Sequence, residues 1–193
     1  MLADTLRFLI QTASDLFVLV LLLRFYLQLA NAPLRHPLVQ FVRSATDFIV
    51  LPLRKRIPAW RGYDTATLLT AWLTSLIAIV LLLVLAPLPY NFALPSNWLS
   101  VALLAVLYVF RATVYLLMGA VIVQAVLSWV SPYNPLAPLL ELLTRPFLRP
   151  FRRLMIGQVD LSPLALLIVL QVVLMLPIAF LERMLLAQLQ FGV

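Results

Sequence analysis

The sequence lacks cysteine altogether, and its 193 residues include one histidine (His36) and one lysine (Lys55). The absence of cysteine excludes a disulfide framework, a thiolate nucleophile, a cysteine-ligated metal and c-type haem attachment. Most metal sites and most acid–base machinery use residue types that this chain almost lacks. The composition gives no basis for a catalytic site, a metal site or a cofactor, and it favours a protein that is not an enzyme.

Charged residues are also scarce. They make up 11% of the chain, whereas 64% of its residues are hydrophobic and its mean hydropathy is +1.07. Soluble domains are about 45–50% apolar and about 25% charged. A soluble fold of this length has too few charged residues to cover so much apolar surface. The composition therefore predicts an integral membrane protein, whose apolar surface is covered by lipid.

Four apolar stretches are long enough to cross about 30 Å of hydrocarbon at about 1.5 Å per residue. They run from about Leu6 to Leu29, from Leu68 to Ala86, within Trp98–Val130, and from about Pro163 to Leu181. These stretches predict an all-α, polytopic membrane protein with four transmembrane helices. Pro177 lies inside the fourth stretch and should kink that helix.

The basic residues are concentrated in two loops beside the apolar stretches. Segment 31–64 has a net charge of +4 and segment 131–160 a net charge of +2, whereas the connection 87–97 is uncharged. Cytoplasmic loops of membrane proteins are enriched in Lys and Arg in this way. The pattern predicts that both basic loops are cytoplasmic and that both termini lie on the opposite side. It also predicts that the net charge of +7 interacts with anionic lipid headgroups and not with nucleic acid.

The two basic loops align with each other when the chain is shifted by 98 positions. Pro37-Leu38 then falls on Pro135-Leu136 and Thr46 falls on Thr144. The predicted repeat unit is a hairpin of two spans joined by a basic loop, and it occurs once in residues 1–90 and again in 91–193. Because each unit crosses the membrane twice, the two copies should share one orientation.

Each basic loop contains a short amphipathic pattern of helical period, over 37–50 and over 135–149. Both segments are too short to span the membrane, so we expect helices that lie in the cytoplasmic interface. Prolines such as Pro52 and Pro146 should end these helices.

The motifs of the second loop resemble those of the YggT family of small bacterial and plastid membrane proteins, also called the CCB3/YlmG-like family. Ser128-Trp129 is followed by Asn134-Pro135, by the segment 145–153 (RPFLRPFRR), and by Asp160-Leu161-Ser162-Pro163. The first copy departs from the pattern, with Gln28-Leu29 in place of Ser-Trp.

The resemblance implies a multi-pass protein of the bacterial inner membrane without known catalytic residues. It implies a non-enzymatic scaffold or assembly factor linked to osmotic-stress tolerance or to cell-envelope and cell-division organisation. The alternative is a small oligomeric channel or transporter in ion and osmotic homeostasis. Its partner would be a membrane protein or a second copy of the chain.

Two ionisable residues within the spans, Asp15 and Arg111, are the first candidates for a functional site. The repeat places them about one helical turn apart in depth, and a charge in a span is costly and usually faces the bundle interior. We expect them to pair, either as a structural ion pair or as an ion-related site. Arg24, near the end of its span, should extend to the headgroups, with Gln124 as a possible partner.

Two further sets of residues are predicted from the loops. One set consists of basic residues that face lipid or a docking partner: Arg54, Lys55, Arg56, Arg152 and Arg153. The other consists of residues that begin the second and fourth spans. Asp64 and Asp160 are carboxylates near a helix N-terminus, Ser162 is the predicted cap, and Pro163 is predicted at the first helical position.

Reporter fusions at Asn91 and Gly157 test the orientation. Since the loop that contains Gly157 is basic and the 87–97 connection is uncharged, we expect periplasmic reporter activity at Asn91 and none at Gly157. Periplasmic activity at Gly157 would reject the predicted orientation.

Overall fold

A computed structural model describes residues 1–60, 62–86, 90, 94–131, 133–151, 155–156 and 159–191. Its α-helices are α1 (Leu2–Leu29), α2 (Pro37–Arg54), α3 (Thr65–Val84), α4 (Pro95–Val130), α5 (Ala137–Leu148), α6 (Ser162–Val173) and α7 (Ala179–Phe191). A 3₁₀ turn, Arg149–Phe151, follows α5, and a π-helical turn, Leu174–Ile178, joins α6 to α7. A two-stranded antiparallel ribbon, β1 (Met155–Ile156) and β2 (Val159–Asp160), precedes α6.

Four helical segments are long and apolar enough to cross a membrane: α1, α3, α4 and the continuous run Ser162–Gln190. The four predicted spans are therefore confirmed as helices. Large apolar side chains cover much of their outer surface, including Leu16, Ile77, Phe110, Ile122, Ile168 and Met175. A surface this apolar is typical of a protein surrounded by lipid.

The interior consists of four clusters of apolar side chains. One joins α1, α2 and α3, a second joins α4, α5, α6 and the π-helical turn, and a third joins α3, α4 and α7. The fourth joins the end of α1 to α2 and α5. Close packing at these four places holds the spans and the two shorter helices in one bundle.

The helix α2 has three kinds of surface. Val39, Val42 and Val50 are buried against the spans, whereas Phe41 and Phe48 are exposed. Arg43, between them along the chain, is exposed as well. A short helix with a buried apolar side, further exposed apolar side chains and exposed cations fits a position at the edge of the bilayer.

The prediction that prolines end the loop helices is wrong at two positions. Pro52 lies inside α2, which continues to Arg54, and Pro146 lies inside α5, which continues to Leu148. A proline in the last turns of a helix removes one hydrogen bond, and packing can compensate for that loss. Val50 and Leu148, one on each helix beside its proline, are both buried.

The helices α2 and α5 touch each other at one end of the bundle. His36 accepts a hydrogen bond from the Leu38 N–H through Nδ1, so its other ring nitrogen, Nε2, can donate to the Pro135 carbonyl, 3.2 Å away. Val39 and Val42 of α2 share a cluster with Leu139 of α5. The two helices that follow the first and third spans therefore lie on the same side of the bundle.

Asp64 begins α3 as its N-cap. Its side chain accepts hydrogen bonds from the Thr67 N–H and hydroxyl and forms an ion pair with Arg54. Burial alone would raise the pKa of the Asp64 carboxyl, but the hydrogen bonds from Arg54 and Thr67 outweigh burial and hold the pKa below its ordinary value. The cap thus ties the end of α2 to the start of α3.

The depressed pKa of Asp64 predicts a pH-dependent contribution to stability. The contribution is present above the ordinary pKa of 3.8 and is lost as the pH falls through the lower folded value. Asparagine can still cap α3, but Asp64→Asn removes the charge that pairs with Arg54. We expect a cost of about 1–2 kcal/mol at pH 7, the difference between a charge-assisted and a neutral hydrogen bond, and a weaker fall in stability below pH 3.8. Thermal unfolding of the detergent-solubilised protein from pH 7 to pH 3 measures both effects. Asp160→Asn is the matched control, and an equal flattening of its pH profile would contradict the assignment to Asp64.

Candidate functional site

A polar cavity of about 180 Å³ lies between the spans α1 and α4. Its wall includes Gln11 and Asp15 from α1, and Tyr108, Arg111 and Tyr115 from α4. Asp15 lies near the middle of α1, with 13 residues of the helix before it and 14 after it. Polar groups at such a depth have no water to solvate them unless the protein provides a cavity or a partner.

Arg111 makes its ion pair with Glu182 of α7. Its Nη1 donates to both carboxylate oxygens, at 3.1 and 3.3 Å. Its Nη2 lies 3.5 Å from the Tyr115 hydroxyl, and the guanidinium lies 5.7 Å from the centre of the Tyr115 ring. The side chains of Arg111 and Glu182 are both about one-third exposed at the surface of the bundle. The pair therefore joins the third span to the fourth.

Asp15 faces the same cavity from the opposite helix. Its carboxyl lies within interaction range of the Tyr108 hydroxyl and of the Arg111 guanidinium. The structure thus places Asp15 and Arg111 on the wall of one cavity, and the carboxylate that forms an ion pair with Arg111 is that of Glu182. Among the described residues that line the cavity, Asp15 is the carboxylate, and it is not the ion-pair partner of Arg111.

The cluster combines one guanidinium, two carboxylates, two phenols and an amide. These groups can exchange hydrogen bonds, and the second carboxylate can attract a cation or hold a proton. None of them is an activated nucleophile. Within the described part of the chain, no group of three His, Cys, Asp or Glu residues is placed to hold a metal ion.

Arg24 does not extend to the headgroups, contrary to the prediction. Its side chain is 4% exposed, because α2 covers the end of α1, and its Nη1 lies 2.7 Å from both the Thr46 hydroxyl and the Asp47 carboxylate. Gln124 is not its partner but forms a 2.5 Å hydrogen bond with Thr144. Each loop helix therefore meets the preceding span through a buried threonine.

The predicted basic surface is only partly free. Lys55 and Arg56 are exposed, whereas Arg54 is held by Asp64 and by a 2.8 Å hydrogen bond to Gln28. Arg152 and Arg153 lie outside the residues that the structure describes. Two cations not singled out from the sequence, Arg145 and Arg149, are exposed on and after α5.

The start of the fourth span contains the other predicted motif. α6 begins at Ser162 and its N-cap is Leu161, so the prediction of Ser162 as the cap is wrong; Pro163 lies in the first turn. The Asp160 carboxylate accepts a 2.8 Å hydrogen bond from the Ser162 N–H, and the Ser162 hydroxyl donates to the Phe151 carbonyl at 2.9 Å. The hydrogen bond from Ser162 thus connects the start of the fourth span to the 3₁₀ turn that follows α5.

Sequence reasoning missed Glu182 because it ended the fourth span at Leu181. The apolar pattern resumes after Glu182-Arg183 with Met184-Leu185-Leu186, and that continuation was the available signal. Tyr108 was also missed, since a single tyrosine in an apolar helix is usually a packing residue.

Double-mutant cycles distinguish between Glu182 and Asp15 as the ionic partner of Arg111. Arg111→Gln or Glu182→Gln leaves one charge without its counter-ion in a span, at a cost of about 2.5–3.5 kcal/mol, and the double substitution should recover part of that loss. For Asp15→Asn with Arg111→Gln, we expect losses closer to additive. The free energy of unfolding in mixed micelles measures all five variants. Stronger coupling of Arg111 to Asp15 than to Glu182 would contradict the ion pair of the structure.

The comparisons with known proteins agree in pointing to one family. A model of the CCB3/YggT family matches two segments of the chain, residues 3–85 and 103–181. The chain is 37% identical to the uncharacterized protein YggT of Escherichia coli strain K12, over 88% of this chain and 87% of that protein. It is 35% identical to an uncharacterized protein of Pseudomonas aeruginosa, over 92% of this chain and 90% of that protein.

An uncharacterized protein of Vibrio alginolyticus is 35% identical, over 87% of this chain and 90% of that protein. No solved structure matches the chain. The family model covers most of the chain, and each of these relatives aligns with it along most of its own length, so the resemblance noted in the loop motifs extends to the whole molecule. The chain belongs to the CCB3/YggT family.

Proposed function

We propose that this protein is a non-enzymatic membrane scaffold, which organises or assembles other membrane proteins from its cytoplasmic side. The observation that carries the proposal is the joined pair α2 and α5. They form one continuous surface at one end of the bundle through the contact of His36 with the Pro135 carbonyl and through their shared apolar cluster. We call this surface, made of 37–54 and 137–151, the basic platform.

The side chains of the basic platform and its margins suit the docking of a partner. Exposed cations occur at Arg43, Lys55, Arg56, Arg145 and Arg149. Trp129 and Tyr133 beside it are 88% and 99% exposed. Arginine and aromatic side chains are enriched at protein interfaces, so a partner with an acidic juxtamembrane segment fits this surface.

The proposed architecture is two tandem hairpins of one orientation, residues 1–90 and 91–193. Two observations support it. The family model matches the chain in two segments, and the contact of Thr46 with Arg24 has its counterpart in the contact of Thr144 with Gln124. In this proposal the basic platform is cytoplasmic, in accord with the positive-inside rule, and both termini lie outside, in a bacterial inner membrane.

The role we propose for the scaffold is in osmotic-stress tolerance or in cell-envelope and cell-division organisation. A second candidate is a small oligomeric channel or transporter in ion homeostasis. The cavity lined by Gln11, Asp15, Tyr108 and Arg111 favours it, because a carboxylate in a cavity within the spans can hold a cation or a proton. Four spans are few for a pore, so such a channel would require several copies of the chain.

Crosslinking and affinity purification from native membranes test the scaffold. We expect a stable membrane-protein partner with the wild-type chain and its loss in Arg56→Glu, which reverses an exposed charge at the basic platform. Arg183→Glu, an equally exposed position near the opposite end of the bundle, is the matched control and should retain the partner.

Recovery of the chain only as a homo-oligomer would argue against the scaffold. If that oligomer also conducts ions in liposomes, and Asp15→Asn abolishes the flux without lowering stability, the channel replaces the scaffold as the best account of the function.

A further inference from the structure

A second cavity, of about 410 Å³, lies where the end of α1 meets α2. Three arginines line it, Arg24, Arg43 and Arg54, together with Gln28 and Asn31. The rest of its wall is apolar, with Leu27, Val39 and Val42 among the side chains. The cavity is therefore amphiphilic, with cations and amides on part of its wall and aliphatic side chains on the rest.

The charge of the cavity favours an anion. None of the described residues that line it is a carboxylate. Asp47 and Asp64 form ion pairs with Arg24 and Arg54 from outside the cavity wall, which leaves three cations against two anions. Arg43 is exposed and takes part in none of the ion pairs among the described residues. One positive charge is thus left without a protein counter-ion.

The arginines also retain hydrogen-bond donors. A guanidinium has five N–H donors, and Arg24 uses Nη1 for its contacts with Thr46 and Asp47. Arg54 uses Nε and Nη2 for Asp64 and Gln28. The guanidinium fork matches phosphate oxygens well, so the free donors of Arg24, Arg43 and Arg54 suit a phosphate group.

The position of the cavity identifies the source of that phosphate. Arg24 lies five residues before the end of α1 at Leu29, or about 7.5 Å along the helix axis. This is the depth at which an apolar span passes into the headgroup region. The aliphatic part of the wall is suited to the glycerol and the first methylene groups of a lipid, which a small soluble phosphate compound does not have.

We propose that this cavity binds the headgroup phosphate of an anionic phospholipid from the leaflet beside α2. The lipid phosphate lies between Arg24, Arg43 and Arg54, and its glycerol lies against Leu27 and Val42. The site is independent of the proposed scaffold function, because it needs no protein partner.

In the second half of the chain, other residues stand in place of two of the three arginines that line this cavity. The loop shift of 98 positions places Arg43 on Glu141. Gln124 takes the place of Arg24, because it contacts Thr144 as Arg24 contacts Thr46. Both cations that distinguish the cavity are thus replaced, one by an amide and one by a carboxylate. The protein binds a lipid at one of its two related positions, and this asymmetry supplies conservative substitutions for the test.

Native mass spectrometry of the full chain in detergent tests the proposal with two lipid probes, dioleoylphosphatidylglycerol and dioleoylphosphatidylcholine. We expect tighter binding of the phosphatidylglycerol and a loss of about tenfold in its affinity in Arg43→Gln, the value of one charge-assisted hydrogen bond. Arg145→Gln removes an equally exposed cation of α5 outside the cavity and should leave the affinity unchanged.

A second variant guards against effects on folding. Arg24→Gln introduces the residue found at Gln124, which forms a hydrogen bond with its threonine, so the variant retains a partner for Thr46 and should still lose lipid affinity. Unchanged affinity in both Arg43→Gln and Arg24→Gln overturns the site, as does an equal loss in Arg145→Gln. Displacement of the lipid by inorganic phosphate at millimolar concentration would assign the cavity to a soluble phosphate compound and overturn the lipid proposal.

Discussion

Polar groups that lie in hydrocarbon must find partners inside the protein, because no water is available there. Five threonine hydroxyls meet the requirement locally, by donating to the carbonyl four residues earlier: Thr46, Thr70, Thr74, Thr113 and Thr144. Charged groups need more distant partners, and those partners decide how the helices are arranged. The ion pair of Arg24 with Asp47 requires α2 to pack against α1. The ion pair of Arg111 with Glu182 requires α7 to pack against α4.

The spans, the loop helices and the helix starts were predictable from the sequence, because each depends on local pattern. A run of apolar residues fixes a span, and Asp64 before Thr65 fixes a helix start by capping. The partners of Arg24 and Arg111 were not predictable in this way. Each depends on how two helices are rotated toward each other. That rotation depends on contacts between residues far apart in the sequence, such as Arg111 and Glu182.

The two halves of the chain share their framework and differ in their charges. Both use a buried threonine to attach the loop helix to the preceding span, at Thr46 and Thr144. In the first half the threonine meets an arginine with a carboxylate beside it, and in the second half it meets an amide. A neutral hydrogen bond keeps the geometry at a small desolvation cost, whereas a buried ion pair demands further partners. In the first half, the arginine that meets the threonine also lines the cavity between α1 and α2.

The π-helical turn at Leu174–Ile178 determines which face of the last span reaches Arg111. Such a turn accommodates one additional residue in an α-helix, and since each residue advances an α-helix by about 100°, everything after the turn is rotated by about that angle. Pro177 lies inside this turn, where its missing N–H breaks the regular bonding. The last span therefore consists of two helices whose faces can be oriented separately. The buried face of α6 packs against α4 and α5, and the face of α7 that contains Glu182 is turned toward Arg111. Adding or removing one residue in this turn would rotate α7 alone about the helix axis, and it would change the length of the span by only about 1.5 Å.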